Sequence, residues 1–500
     1  MAEMQRFEPN VKTLGDIAAF LGADIAHDAE LIEITGVCSN SQKIENGDLF
    51  LALPGAKTHG GAFLPSAVER GARAVLTDIA GSELSSVRDS AIPVLVVPNP
   101  RSQSGYLADW FHNSPSRSMY LAGITGTNGK TTTTYLLHQI WKYARFESGL
   151  MGTIGITIGD EFVPATHTTP EADLAHTVLS VMQEQHVKAA AMEVSSHAIV
   201  QHRIDGLRFA AVGFTNLSQD HLDFHGTMEN YFQAKRALFE PDIAEHAFVN
   251  IDGEYGARLV KEISIPTSTI SMDDEKATWY CETLTRESAG WSLAIRGEGG
   301  VLIEGRFNLP GEHNIENLLL AVAIASHSGV DPLVIGNALQ TLKGAPGRLE
   351  SINRGQDFTV LVDYAHTPDA VTRVLSSIKS VEGRIIGVLG CGGNRDAGKR
   401  PLMGKALRSG CDVAIFTSDN PRDEDPETIL KAMTDGIELD ESALVIIDRR
   451  EAIATAIATA HSGDIVVVLG KGHEIGQEIK GAKLPFDDRE ELVSAIKALT

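Results

Sequence analysis

The stretch Tyr120-Leu-Ala-Gly-Ile-Thr-Gly-Thr-Asn-Gly-Lys-Thr131 decides how the chain is read. An apolar run passes into a Gly-rich turn, and a helical pattern starts at about Thr131. A strand that ends in such a turn and opens a helix gathers backbone N–H groups and the positive end of a helix dipole at one point, where a phosphate chain fits. Gly126, Thr127, Asn128 and Gly129 make the turn. Lys130 would reach the β- and γ-phosphates, and the Thr131 hydroxyl would reach Mg²⁺. The usual spacing GxxxxGK[ST] asks for glycine at 124; this chain has Ile124, with Gly123 one residue early. The alternative is a Gly-rich turn carrying an exposed lysine.

Working outward, apolar runs at 189–194, 210–215 and 247–251 are separated by helical segments, which predicts a parallel, doubly wound sheet. Runs at 279–285, 291–296 and 301–309 predict an antiparallel portion. Ile315, Leu318, Leu319 and Val322 then recur at helical spacing. The first hundred residues hold short β-rich runs at 31–37, 48–53, 72–77 and 93–97, punctuated by Gly and Pro, which predicts a small α/β unit. Helical stretches are expected at 65–70 and 106–111. Pro98-Asn-Pro-Arg101 and Gly344-Ala-Pro-Gly347 read as boundaries. The last third alternates strands at 358–362, 384–389, 412–416, 444–447 and 464–469 with helices, as in a Rossmann-like sheet. The expectation is an α/β chain of three domains, 1–100, 101–346 and 347–500.

Composition narrows the partners. The 500 residues carry 43 Lys and Arg against 66 Asp and Glu, a net charge of −23. Neither a basic nucleic-acid face nor adsorption to an anionic membrane is expected. Four widely spaced cysteines with no CxxC pair argue against a zinc ribbon or a disulfide framework and suit a reducing compartment. The N-terminal tract carries acids and no apolar core, so no signal peptide is expected. No apolar run approaches the roughly 18–20 residues of a membrane span. A cytoplasmic chain acting on small molecules is expected.

Several residues stand where strands end. Glu193 closes an apolar run near the phosphate turn, where a carboxylate holds Mg²⁺ directly or through water; many strands also end in Glu for solubility. His221 and His225 suggest either a metal or a hydrogen-bonded loop. Asn314 and Asn317 share a helix face and suit either capping or adenine. In the last third, polar clusters follow the strands at 363–366, 390–395, 419–422 and 470–474, and ligands of open α/β sheets bind at that edge. Arg422, stiffened by Pro421, suits a bidentate carboxylate contact. Arg395 is a candidate companion and Glu474 a candidate ammonium partner. A surface arginine paired with Asp423 or Glu424 is the alternative. Together the clusters suggest an amino acid ligand.

As an ordered set these motifs resemble the Mur ligase family over nearly the whole chain. The carriers are the turn at 125–131, Glu193-Val-Ser-Ser-His197, Asn216-Leu-Ser-Gln-Asp-His221, Tyr231-Phe-Gln-Ala-Lys235, His313-Asn-Ile-Glu-Asn317, Gly347-Arg348 and Asp363-Tyr-Ala-His366. Thr168-Thr-Pro170 and Gln201-His-Arg203 are similar to the nucleotide-sugar-peptide contacts of members that add the third residue of the peptidoglycan stem. Asp419-Asn-Pro-Arg422 is similar to a motif of those that add meso-diaminopimelate.

The resemblance implies one domain each for the UDP-sugar, ATP and the amino acid, and ligation through an acyl phosphate in the cytoplasm, on the path to cell-wall synthesis, cell shape and division. It implies Thr131 and Glu193 on one Mg²⁺, His221 helping with a second, and Lys235 carbamoylated beside them. Asn314, Arg348 and Asp363 would complete the ATP site. Ser39, Ser41, Thr168, Thr169, Ser195, Gln201 and Arg203 would hold UDP-MurNAc-dipeptide. Arg395, Asp419, Asn420, Pro421, Arg422, Gly470 and Glu474 would hold meso-diaminopimelate. A monomer is expected. Sister ligases, among them folylpolyglutamate synthetase, are the alternatives within the class; a P-loop ATPase or a metabolite-binding module without ligation is the alternative outside it.

Overall fold

In the computed structural model, which describes residues 10–55, 57–165, 167–287, 290–379 and 383–499, the central sheet grows outward from the strand Tyr120–Thr125. Ala189–Glu193 pairs with it on one side and Ala211–Phe214 on the other, both parallel. After the central strand the chain crosses two places to Ser148–Met151 on one side, steps back to Ala189–Glu193, and then crosses the central strand to Ala211–Phe214 on the other. That switch of order opens a crevice beyond the carboxyl ends of the strands, and the Gly-rich turn lies in it. Ser148–Met151 extends one wing. Ala247–Asn250, Thr267–Ser271 and Trp279–Glu287 extend the other, still parallel. Gly290–Arg296 and Leu302–Phe307 then close it antiparallel, as the sequence predicts. Residues 1–9, most of the tract read as lacking a signal peptide, lie outside the described residues.

The early glycine of the phosphate turn has a packing reason. A Cβ on Gly123 would stand 2.7 Å from the Phe209 ring, so this glycine lets the strand pass an aromatic and takes no part in the turn. Behind the turn, the helix Lys130–Tyr143 packs Leu136, Leu137, Ile140 and Trp141 against Leu318, Leu319 and Val322 of the helix Glu312–His327. This anchors Lys130, Asn314 and Asn317 on two helices that share one core.

Four short parallel strands, Gly36–Cys38, Asp48–Leu51, Ala74–Thr77 and Val94–Val96, make the first sheet. Asn99, in the tetrapeptide read as a boundary, caps the helix Pro100–Phe111. Leu107, Ala108 and Phe111 of that helix are buried with Leu14, Ile17 and Leu49, so the apolar packing of the first sheet runs on past residue 100.

The last sheet runs Glu350–Ser351, Thr359–Asp363, Ile465–Leu469, Ile385–Cys391, Val413–Ser418, Ala443–Val445, parallel except for the first strand. Its polar clusters therefore share one edge. A hairpin, Gly476–Ile479 with Ala482–Pro485, follows the 470–474 cluster; the sequence reading did not anticipate it. Beneath that edge Arg449 and Asp488 form a fully buried ion pair at 2.7 Å. Arg449 also donates to the Leu469 carbonyl at 2.9 Å and the Ser418 carbonyl at 3.3 Å, tying two strand ends together.

Removing one partner of a buried pair costs about 3–5 kcal/mol, whereas an apolar replacement of both is often nearly neutral. Asp488→Ala should therefore lower the thermal unfolding midpoint markedly, and the double change Arg449→Met with Asp488→Leu should recover most of the loss. Equal losses in the two variants would show that charge pairing is not what this site contributes.

Candidate active site

The phosphate turn is held by the segment that follows the neighbouring strand. Thr127 N–H donates to the Asn216 carbonyl at 2.9 Å, and Asn128 N–H to Asn216 Oδ1 at 3.0 Å. Thr215 Oγ1 donates to the Asn128 carbonyl at 2.6 Å, and Ser218 N–H to Thr127 Oγ1 at 3.0 Å. Gly126 and Gly129 have φ of +147° and +90°, a backbone region that favours glycine. A Cβ on Gly129 would also collide with the Asn317 amide.

Two lysines meet on one oxygen. Lys130 Nζ donates to the Gly126 carbonyl at 2.9 Å and to the Thr127 carbonyl at 2.8 Å. Lys235 Nζ, buried, donates to the same Gly126 oxygen at 2.8 Å and lies 4.6 Å from the centre of the Tyr231 ring. Burial and the charge of Lys130 push the Lys235 ammonium well below its ordinary pKa. Lys130 is also lowered, mainly by burial, with Arg348 adding to the effect while Glu193 and Asp220 oppose it. Two cations crowded around one carbonyl favour an anion between them, or the loss of one charge.

Glu193 supplies a carboxylate at the end of the neighbouring strand. Its Oε2 accepts from Thr131 Oγ1 at 2.8 Å and Thr153 Oγ1 at 3.0 Å, and its Oε1 from Thr153 N–H at 2.8 Å. Among the described residues, no group of three or more His, Cys, Asp or Glu could hold a metal ion by itself. The donors that do converge, the Thr131 hydroxyl and the Glu193 carboxylate, are hard oxygens and suit Mg²⁺, which keeps water and phosphate ligands beside one or two protein donors. His221, in the left-handed region at φ +54°, lies 3.3 Å from Asp220 and edge-on to His197. Burial holds its pKa down to about 3, leaving a neutral imidazole. His225 closes the one-turn helix Leu222–His225 and is hydrogen-bonded, 2.9 Å from Ser196 Oγ.

The last sheet docks its ligand edge onto this turn. Arg348 Nη2 donates to Thr131 Oγ1 at 3.2 Å, and its guanidinium lies 4.6 Å from the centre of the Tyr364 ring. Asp363 accepts from the N–H groups of Leu349 and Ala365, both at 2.7 Å, and so shapes the linker that carries Arg348. Asn128 Nδ2 donates to Asp369 at 3.3 Å. Asp220 takes Lys399 at 3.5 Å and His366 at 3.9 Å. Burial alone would raise the Asp220 pKa; its closeness to His221, His366 and Lys399, with a bond from the His221 backbone N–H, outweighs that and holds it below the carboxylate range. Between the docked surfaces lies an open cleft, lined by Asn128, Gly129, Asn216, Asn314, Asn317, Arg348 and Asp363 among others. Asn314 lines this cleft and donates to the Pro310 carbonyl at 2.6 Å; that bond is not a cap, because Gly311 is the N-cap and no side chain caps this helix start.

Three family models match the chain: "Mur ligase family, catalytic domain" over residues 33–101, "Mur ligase middle domain" over 124–325, and "Mur ligase, glutamate ligase domain" over 347–472. A protein of Streptomyces coelicolor named UDP-N-acetylmuramoyl-L-alanyl-D-glutamate–2,6-diaminopimelate ligase is 44% identical over 472 residues, 93% of each chain. The chain belongs to the Mur ligase family. A protein of the same name from Aquifex aeolicus is 42% identical to this Mur ligase, over 92% of this chain and 93% of its own. A solved structure titled with that activity superposes with a TM-score of 0.65 at 33% identity, covering 98% of this chain and 99% of the other. MurF from Thermotoga maritima in complex with ADP, 17% identical with a TM-score of 0.66 over 93% and 97% of the two chains, shares the fold. The protein is an ATP-dependent, amide-forming ligase. Among its described residues no helix is long and apolar enough to cross a membrane.

The remaining sequence-derived residues of this Mur ligase fall into two groups. On the central sheet, Thr169 Oγ1 donates to the Glu193 carbonyl at 2.8 Å and accepts from Ser195 N–H at 3.0 Å. Thr168 Oγ1 accepts from Thr153 at 3.1 Å. Arg203 donates to the Thr169 carbonyl at 3.0 Å and pairs with Glu171 at 2.9 Å; Gln201 is half-buried two residues before it. Ser39 lies apart from them, its N–H and hydroxyl both donating to Asp173 at 2.7 and 2.9 Å, so it ties the first sheet to the central one. Ser41 is buried near it.

On the last sheet, Asp419, Asn420, Pro421, Arg422, Gly470 and Glu474 come together, with Arg395 exposed beside Gly392. Neither acid read as the alternative partner of Arg422 holds it. Arg422 pairs with Glu478 of the unanticipated hairpin at 3.0 Å and donates to the Gly393 carbonyl at 2.8 Å, while Glu424 pairs with Arg400 at 2.8 Å. Asp220, Lys399, Thr153, Glu171 and Lys471 were not singled out from sequence. Asp220 and Lys471 sit inside quoted motifs; Thr153, Glu171 and Lys399 carry no local signal, since only the fold brings them to the site.

Lys130→Ala should reduce turnover by at least about 10²-fold, the scale of losing one charge-stabilising contact of about 3 kcal/mol. Steady-state ADP release measures it, and near-normal turnover would mean that the turn does not bind the transferring phosphate.

Proposed function

We propose that this Mur ligase joins meso-diaminopimelate to UDP-MurNAc-L-Ala-D-Glu while converting ATP to ADP and phosphate, as a cytoplasmic monomer supplying peptidoglycan precursor. The observation that carries the reading is the edge of the last sheet, where Arg422 and Glu474 sit with Asn420 on the unit docked over the phosphate turn. An arginine and a carboxylate on one edge suit the carboxylate and ammonium of an amino acid, and the printed names of the relatives agree.

In this reading a carboxylate oxygen of the UDP-linked dipeptide bonds to the γ-phosphorus of ATP, and ADP leaves. The diaminopimelate amine then attacks the acyl carbon, and the tetrahedral intermediate expels inorganic phosphate as the amine loses its proton. The chain's main task is to let two anions meet. Lys130 gives its ammonium to the phosphates, and Arg348, stacked on Tyr364, adds a second charge beside Thr131. Asn314 and Asn317 offer amides to the adenine. Mg²⁺ supplies further neutralisation when bound: Thr131 and Glu193 would hold one ion, and His221 with a carbamate on Lys235 would help hold another. Carbamoylation suits Lys235 because its buried ammonium is already disfavoured, and the product is an anion beside Lys130. Thr168, Thr169, Ser195, Gln201 and Arg203 would line the dipeptide, with Ser39 and Ser41 toward the uridine.

The direct test is ADP release by the purified protein with a panel of amino acids, products read by mass spectrometry. Release should require both UDP-MurNAc-dipeptide and meso-diaminopimelate; ADP release that needs neither would indicate a simple ATPase. Lys235→Ala should be nearly inactive and partly rescued by a short carboxylic acid, and full activity without rescue would rule out the carbamate. Arg422→Ala should raise the diaminopimelate KM strongly with ATP binding unchanged, and Arg422→Lys should recover little, because the fork geometry is lost. If the wild type joins L-lysine as efficiently as meso-diaminopimelate, the specificity assigned to Arg422 is wrong.

A further inference from the structure

A fully buried ammonium stands among the residues proposed for the amino acid. Lys471 follows the strand Ile465–Leu469 and Gly470, and its side chain is wholly inaccessible. Its Nζ donates to Glu474 Oε2 and to Asn420 Oδ1, both at 3.0 Å. A buried charge is tolerated only when paired and hydrogen-bonded, so these contacts hold both acceptors in place.

Each contact also sets an orientation. Asn420 Oδ1 accepts a second bond from Glu478 N–H at 3.0 Å. With its oxygen engaged on that side, the amide turns Nδ2 toward Glu474 Oε2, where it donates at 2.9 Å. Glu474 Oε2 thus takes two donors, while Oε1 faces the Tyr364 hydroxyl at 3.5 Å. The Glu474 side chain is 33% exposed, and Oε1 is the oxygen left for an incoming ammonium. On the other side, the residue whose N–H meets Asn420 is the one whose carboxylate pairs with Arg422. One buried cation therefore organises both the anionic and the cationic recogniser of this edge.

We propose that Lys471 is a positioning residue for the amino acid substrate: through Glu474 it fixes the carboxylate that receives the substrate ammonium, and through Asn420 and Glu478 it fixes Arg422. It touches no substrate itself. The inference rests on the reading of this edge as the amino acid site.

The test is a steady-state comparison of Lys471→Met, Glu474→Gln and their combination, with KM measured separately for meso-diaminopimelate, ATP and UDP-MurNAc-dipeptide. Lys471→Met should raise the diaminopimelate KM at least about tenfold and leave the other two within about twofold, with kcat falling less than KM rises. The combined variant should fall clearly short of the product of the two single effects, because both changes act in part on one carboxylate while the Asn420 route adds its own share. Should Lys471→Met lose its thermal transition, Lys471→Gln, which keeps a donor for Asn420 and Glu474, is read by the same criteria with a smaller KM rise. An unchanged diaminopimelate KM, an equal rise in all three KM values, or multiplying effects in the combined variant would overturn the proposal. If Glu474→Gln itself leaves that KM unchanged, the amino acid reading of the edge fails and takes the inference with it. A KM rise in Glu474→Gln without one in Lys471→Met defeats the inference alone.

Discussion

Everything at this site depends on one carbonyl oxygen, that of Gly126, which accepts from the half-buried Lys130 and the buried Lys235. Like charges at such a distance in a dry pocket repel, and a single carbonyl dipole cannot offset two desolvated ammonium groups. The loop is nevertheless rigid: the segment 215–218 grips it from the next strand, and a Cβ at Gly129 would have no room. Repulsion that the braced loop cannot relieve by moving favours ligand chemistry instead. A polyphosphate suits Lys130, and conversion to an anion suits Lys235.

Docking of the last sheet follows from the same electrostatics. Arg348 brings a further positive charge to Thr131, and Asp220 collects His221, His366 and Lys399 around one buried carboxylate. Of the contacts that cross this interface, Arg348–Thr131 and Asn128–Asp369 start at the phosphate loop, Asp220 supplies two more to Lys399 and His366, and Arg373 pairs with Glu316. The cleft between the units is therefore assembled by the groups that line it, and nucleotide bound there would touch both. An amino acid held on the far sheet then lies on the same side as the phosphate chain, which a ligation in two steps requires.

Much of this was legible in the sequence because the signals are local. Strand, turn and helix coincide at 120–131, the apolar runs of the last third are bounded by glycine and charge, and the 279–309 stretch alternates as an antiparallel portion should. What was missed is long-range or weak. Ser148–Met151 is four residues long and opens on Ser-Gly, and Thr267–Ser271 is rich in Ser and Thr, so neither reads as an apolar run. Gly123 resembled a misplaced turn glycine until Phe209 supplied the reason for it. Charge at 423 and 424 drew attention as the natural neighbour of Arg422, yet the fold pairs it with Glu478, 56 residues away. The same distance hid Lys471, whose role depends on the strand order that brings Asn420 beside Glu474.

The central claim is that the two lysines activate a carboxylate by phosphorylation and do not merely hydrolyse ATP. Oxygen transfer tests it most directly. With ¹⁸O in the acceptor carboxylate of UDP-MurNAc-dipeptide, and ATP and meso-diaminopimelate unlabelled, a single round of ligation should place one ¹⁸O in each inorganic phosphate released. Unlabelled phosphate, its fourth oxygen drawn from solvent and not from the carboxylate, would contradict the account.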